Sequence, residues 1–206
     1  MHEYSIKNNI INSNPKGIKA NIMIVGVGGQ GSLLASKVIG TAAIKKGLDV
    51  KVSEVHGMSQ RGGSVVTYVK MGDRVYSPLV EKGEADFIIS FEKLEALRWA
   101  EYIAKDGTII INDQHIDPMP VITGEKKYPL DVIEKISGMC DNTIVIDAFD
   151  IAKNLGNIKV VNIVLIGVYA KISGIEKEIW EEALRDVVNE KYLAINLKAF
   201  EEGYNY

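Results

Sequence analysis

Thiols are almost absent from this chain, which contains a single cysteine, Cys140, in 206 residues. One thiol cannot form an internal disulfide, a zinc centre of several thiolates, or the four ligands of an iron–sulfur cluster. Its scarcity fits a reducing cytoplasm. Long apolar runs are missing as well, and none reaches the roughly 18–20 residues that a bilayer span needs. The longest, 160–172, is broken by Asn162, Gly167 and Lys171 and predicts a buried helix. Neither sign of charge dominates: a net charge of -3 argues against a general binder of nucleic acid or membrane surfaces. Residues 1–18 are rich in Asn, Ile and Lys and lack the apolar core and cleavage site of a secretory signal, so they read as a polar arm. No His/Cys/Asp/Glu spacing matches a metal site, no serine sits in a nucleophile elbow, and no histidine lies near Cys140.

What remains is an ordinary soluble composition, 47% apolar and 25% charged, enough to bury a core without staples. No linker or repeat divides it, so residues 19–206 are expected to form one domain. The stretch Gly26-Val27-Gly28-Gly29-Gln30-Gly31 organises its start. An apolar strand, Ile22 to Val25, precedes it. A helix from about Ser32 to Lys46 follows, with Leu34, Ala35, Val38, Ile39 and Ala42 on one broad face and Gly47 as its stop. Glycines 26, 28 and 31 match the dinucleotide fingerprint, and Glu54 lies where a ribose-binding acid belongs. Two readings stay open for this turn: a phosphate held by the helix's unpaired N–H groups, or a tight turn that binds nothing.

The next step departs from a dinucleotide fold. Val50–Ser53 reads as a second strand. Only nine residues, Val55 to Gly63, then precede the β-rich run Ser64–Met71. That is too short for a crossover helix between parallel strands. Gly72-Asp73 suits a hairpin turn and Arg74–Pro78 a return strand. The expected fold is therefore α/β: a Rossmann-like, mostly parallel sheet with an inserted β-hairpin. Strands are predicted at Asp86–Ser90, Thr108–Asn112 and Thr143–Ile146. A helix is predicted over Phe91–Ala104 with Leu94, Leu97 and Trp99 in the core, another near Pro129–Ser137, and a short one ending at Gly156. Gln114–Gly124 reads as a loop with a short strand at Met119–Ile122. The last third is helical: residues 160–172, then the rows Ile179/Ala183/Val187 and Trp180/Leu184/Val188, then Leu193, Leu197, Phe200 and Tyr204.

The loop from His56 to Gly63 carries the most chemistry. Gly57, Gly62 and Gly63 permit conformations closed to other residues, and successive N–H groups there can form an anion nest. His56, Ser59 and Gln60 offer donors and acceptors, and Arg61 offers a planar fork for carboxylate or phosphate. The alternative is a polar surface loop whose glycines only turn the chain. Gly28, Gly29, Gln30, Gly31, Glu54, His56, Ser59, Gln60, Arg61, Gly62 and Gly63 are thus candidates for binding a ligand or an interface, and no residue is assigned as the chemical catalyst. Glu54 either meets a ligand or accepts from nearby backbone N–H groups. Asp147 either faces a ligand or caps a helix. His115 reads as a surface residue and Asn162 as a buried, satisfied amide.

The glycine turn, Ser53-Glu54-Val55-His56-Gly57-Met58-Ser59-Gln60-Arg61-Gly62-Gly63, and the later Asp147-Ala148, Gly156-Asn157, Asn162, Gly167 and Asn196-Leu197-Lys198-Ala199-Phe200 resemble the gamma-type subunit of 2-oxoacid:ferredoxin oxidoreductases. Within that group they are similar to the beta subunit of the indolepyruvate enzymes. The resemblance covers residues 18–206. It implies one subunit of a heteromer that converts an arylpyruvate and coenzyme A to an aryl-acetyl-CoA and CO2, passing electrons to ferredoxin. It also implies that thiamine diphosphate, magnesium and iron–sulfur clusters sit in a large alpha subunit, and that this chain is inactive alone. The single cysteine agrees, as does the lack of a Gly-Asp-Gly…Asn-Asn stretch that would hold magnesium and the diphosphate. The other readings from different classes are a free-standing NAD(P) dehydrogenase and a non-catalytic binding or regulatory module.

Overall fold

The computed structural model describes residues 18–56 and 63–206. Six strands form one sheet: β1 Ala20–Val27, β2 Asp49–His56, β3 Ser64–Gly72, β4 Ala85–Ser90, β5 Ile103–Asn112 and β6 Asn142–Ile146, in the order β2-β3-β1-β4-β5-β6. β1, β4, β5 and β6 run parallel, and β3 runs antiparallel to both of its neighbours, β1 and β2. The mostly parallel α/β expectation holds.

Alternation along the strands builds two cores. Ile22 and Ile24, Val69 and Met71, Phe87 and Ile89, and Ile110 face the side covered by α1 Ser32–Lys45, α5 Ala148–Asn154, α6 Val161–Ile172, α7 Lys177–Val187 and α8 Glu190–Tyr204. Met23, Val25, Val66, Tyr68, Ile88, Ile109 and Ile111 face the side covered by α2 Lys93–Trp99 and α4 Val132–Ser137. Central strands buried on both faces explain why β1 and β4 read as nearly unbroken apolar runs. The chain leaves β1 toward β2 over one face and leaves β4 toward β5 over the other. The strand order therefore reverses between β1 and β4, and the carboxyl ends of those two strands flank a topological switch point.

Nearly all of α6 is buried, so the apolar surplus at 160–172 is absorbed by this chain itself. It crosses α8 at two glycines. A methyl at Gly203 would strike the Val164 carbonyl, 2.8 Å from its carbon, and one at Gly167 would lie 2.7 Å from the Tyr204 nitrogen. The buried stripe of α8 is Asn196, Ala199, Phe200 and Gly203, flanked by half-buried Leu193, Leu197 and Tyr204.

Three local expectations are corrected. Residues 74–78 form no strand, and the hairpin is instead β2 with β3, joined through residues 57–63. β3 already has a partner on each edge, so a return strand after Gly72 has nowhere to pair. Met119–Ile122 is a turn of helix, α3, with Pro120 within its first turn, where a missing N–H costs nothing. The helix expected over Phe91–Ala104 stops at Trp99 and passes through a 3-10 turn at Ala100–Tyr102 into β5, which begins five residues earlier than Thr108, at Ile103.

Candidate functional site

Both sequence motifs meet at one edge of the sheet. β3 runs antiparallel beside β1, so Ser64 lies opposite Val27, and His56 at the end of β2 lies opposite Val65. The loop leaving His56 and the glycine turn leaving β1 are therefore neighbours, and Gly28 N donates to Gly63 O at 3.0 Å. Ser59, Gln60, Arg61 and Gly62 lie outside the described residues, as does the His56 side chain.

The turn itself is shaped by what fills it. Gly29 and Gly31 have φ of 96° and 90°, a left-handed backbone that favours glycine. Gly31 precedes α1 without any side-chain cap, which leaves the helix's first N–H groups facing the edge. A methyl at Gly26 would lie 2.7 Å from Gln30 Oε1 and 3.1 Å from Phe91 Cβ, so the absent side chain makes room for the Gln30 amide. That amide spans the switch point. Gln30 Oε1 accepts from Val27 N at 2.7 Å, and Nε2 donates to Phe91 O and to Gln114 Oε1, each at 3.1 Å. Asn112, fully buried at the end of β5, donates to the same Phe91 carbonyl at 3.1 Å and to Gln114 Oε1 at 3.2 Å. Its Oδ1 accepts from Ala148 N, just past β6, at 3.0 Å. Three neutral amides thus tie together the carboxyl ends of β1, β4, β5 and β6. They carry no charge at neutral pH and hold geometry.

Beside this latch lies an acidic pair. Glu92, 1% exposed, accepts from Tyr128 O–H at 2.6 Å, Ile116 N at 3.3 Å and Glu95 N at 3.0 Å. Burial pushes its carboxyl above the ordinary value. Burial, helped by the Glu92 carboxylate, drives the Tyr128 phenol up as well. Glu95 takes the Ser64 hydroxyl, at the start of β3, and the Arg98 guanidinium at 3.0 Å. Sequence reading missed Asn112, Gln114, Glu92 and Tyr128. The only signal was the polar run Asn112-Asp113-Gln114 at a strand's carboxyl end.

The other expectations sort cleanly. Glu54 accepts from the buried Thr67 hydroxyl across the β2–β3 pair at 3.1 Å. Asp147 caps α5, accepting from Asp150 N at 2.8 Å. His115 is an exposed residue, paired with Asp117 and stacked on Tyr128. Asn162 is only half satisfied: its Nδ2 donates to Gly31 O at 3.2 Å, while Oδ1 is buried without a partner. Cys140 is buried beside the Gly107 and Asn142 carbonyls, and burial raises its thiol pKa. Among the described residues no group of three or more His, Cys, Asp or Glu is placed to hold a metal ion, and no helix is long and apolar enough to cross a membrane.

Comparison with known proteins covers nearly the whole chain. The model of the pyruvate ferredoxin/flavodoxin oxidoreductase family matches residues 21–206. Indolepyruvate oxidoreductase subunit IorB of Archaeoglobus fulgidus is 41% identical over 194 residues, 91% of this chain and 95% of that one. The protein of the same name in Thermococcus kodakarensis is 43% identical over 188 residues, 89% and 93% of the two chains. Among solved structures, the gamma subunit of a keto/oxoacid ferredoxin oxidoreductase from Geobacter sulfurreducens matches with a TM-score of 0.68 at 24% identity, covering 90% of this chain and 96% of that one. The chain belongs to the pyruvate ferredoxin/flavodoxin oxidoreductase family and is a small subunit of a 2-oxoacid:ferredoxin oxidoreductase.

Proposed function

We propose that this subunit serves an enzyme that oxidatively decarboxylates arylpyruvates, indolepyruvate among them. A 2-oxoacid, coenzyme A and two oxidised ferredoxins would give an aryl-acetyl-CoA, CO2, a proton and two reduced ferredoxins. Relatives that span most of this chain carry the indolepyruvate name, which supports the substrate class. Thiamine diphosphate, magnesium and the clusters belong to the large subunit. The donors of this chain do not fit a cluster, because its one thiol is buried, raised in pKa and turned onto carbonyls. Its place is the cytoplasm, with residues 19–206 as one domain behind a polar arm.

One observation carries the reading: the glycine turn and the loop from His56 to Gly63 leave the sheet together, joined by Gly28 and Gly63, at the switch-point edge. His56, Ser59, Gln60, Arg61 and Gly62 of that loop serve to complete a ligand or subunit contact. A free-standing dehydrogenase fits less well. β3 separates β2 from β1, which puts Glu54 about 10 Å from β1, two strand spacings, where a dinucleotide fold has one. The Gln30 amide fills the crevice that a pyrophosphate would need.

The test is reconstitution. The chain alone should give no arylpyruvate-dependent reduction of a viologen dye, and adding a thiamine-dependent, cluster-bearing subunit should restore it. Arg61→Ala should weaken coenzyme A use or docking while leaving the melting temperature nearly unchanged. Failure to form such a complex, or saturable NAD(H) binding that Gly28→Val abolishes, would overturn the proposal.

A further inference from the structure

The segment following β5, residues 113–131, is held firmly yet has no fully buried side chain, although it includes Ile116, Met119, Val121, Ile122 and Leu130. Connections this long without a core of their own are uncommon in compact domains and are usually functional. Polar contacts hold it, together with the half-buried Tyr128 ring packed on the second core. Ile116 N and Tyr128 O–H, at the two ends of residues 116–128, both bond to Glu92 Oε1, closing the segment into an Ω-shaped loop on one buried carboxylate. His115 stacks on Tyr128 with ring centroids 3.6 Å apart, and Lys93 N donates to Gln114 O at 3.1 Å. At the tip, α3 is a turn of Met-Pro-Val-Ile with no buried residue, its Met119 62% and Ile122 65% exposed.

We infer that this carboxylate-pinned loop is a docking element, whose Met119 and Ile122 enter an apolar pocket on the large, cofactor-bearing subunit. The inference rests on the function proposed above. One observation, read with the proposed function, points to that occupant. The loop is bonded through Gln114 to Gln30, so it continues the edge where the glycine turn and the His56–Gly63 loop emerge. In the function proposed above, this edge serves the enzyme by meeting the chain that carries the cofactors. Two side chains at a tip cannot by themselves supply the ~1,200 Å² that a specific interface buries. As one anchor within a wider subunit interface they suffice, because a rigidly held apolar side chain enters its pocket with little loss of freedom.

The experiment compares wild type, the pair Met119→Ser/Ile122→Ser, and the control Ile44→Ser. Ile44 is just as exposed, at 64%, but lies at the far end of α1, away from the edge. Each is titrated against the separately purified large subunit by calorimetry, with thermal unfolding and sedimentation of each chain alone. The tip pair should melt with wild type and stay in the same oligomeric state, yet bind the large subunit at least ~10-fold more weakly, while Ile44→Ser binds as wild type. Wild-type association that the tip pair leaves within about twofold would sink the inference and spare the proposed function. A wild-type dimer dispersed by the tip pair would assign the tip to a second copy and also overturn it. No association of wild type with the large subunit would overturn the functional proposal itself, and the docking role with it.

Discussion

Replacing Gly29 or Gly31 by alanine separates the two demands made on the glycine turn. Both residues hold a left-handed backbone, at φ 96° and 90°, which costs an L-residue about 1–2 kcal/mol. Their surroundings differ. A methyl at Gly29 meets nothing within 4 Å, whereas one at Gly31 lies 2.6 Å from Asn162 Nδ2 and 3.3 Å from its Cγ. Asn162 is 2% exposed on α6, its Oδ1 already lacks a partner, and its Nδ2 bonds to Gly31 O. Pushing that amide away would leave both of its ends unpaired in the interior, a further ~1–3 kcal/mol. Gly29→Ala should therefore cost about 1–2 kcal/mol and Gly31→Ala about 2–5 kcal/mol. At ~2–4 °C per kcal/mol for a chain of this size, Gly31→Ala should melt several degrees below Gly29→Ala. Urea unfolding followed by circular dichroism measures both. In an Asn162→Ala background the steric part disappears, and Gly31→Ala should then cost no more than Gly29→Ala. Equal losses from the two single variants would refute the argument that Gly31 serves packing against α6.

Two further outcomes follow from the packing and the buried acid. Gly203→Ala gains up to ~1 kcal/mol of helix propensity but drives a methyl into the Val164 carbonyl; with overpacking at ~1–3 kcal/mol or more, the net should be a clear loss in urea midpoint, and a neutral or stabilised variant would show that α6 and α8 can part freely. Glu92 has a folded pKa raised above its ordinary 4.5, so the folded state holds the proton more tightly; its contribution is present below 4.5 and is lost as pH rises through the raised value. Relative to Glu92→Gln, which does not titrate, wild type should lose stability as pH rises from below 4.5 to neutrality, and a pH-independent difference between the two would refute that burial dominates.

Legibility in the sequence followed the range of the interactions. β1 and β4 were readable because burial on both faces leaves an apolar run, and α6 because burial on all sides leaves another. The absent crossover helix was readable from a count of residues alone. Errors arose where local preference had no partner to satisfy it. Val75 and Tyr76 favour a strand, but β2 and β1 already occupy both edges of β3. Val121 and Ile122 favour a strand too, but no strand lies beside them, and Pro120 in the first turn suits a helix. At the site, Gln30 stood out only as a polar residue among glycines. Its meaning lies in bonds to Phe91 and Gln114, 61 and 84 positions away, and that of Asn162 in Gly31, 131 positions away. No periodicity or motif encodes such pairs.

The insertion of β3 links these findings. In the standard dinucleotide fold the strand bearing the ribose acid lies next to the fingerprint strand. Here β3 takes that place, gives Glu54 a neighbour in Thr67, and brings the chain back so that Gly63 meets Gly28. The same rearrangement that moves Glu54 away from the fingerprint strand therefore brings a second glycine-bearing segment of the sequence to the same edge. Gln30 is bonded to Gln114, which leads into the pinned 116–128 loop with Met119 and Ile122 exposed. An edge built this way has hydrogen-bonded supports and exposed apolar contacts. Under the function proposed above, such a surface would help to shape a site whose reacting atoms another chain provides.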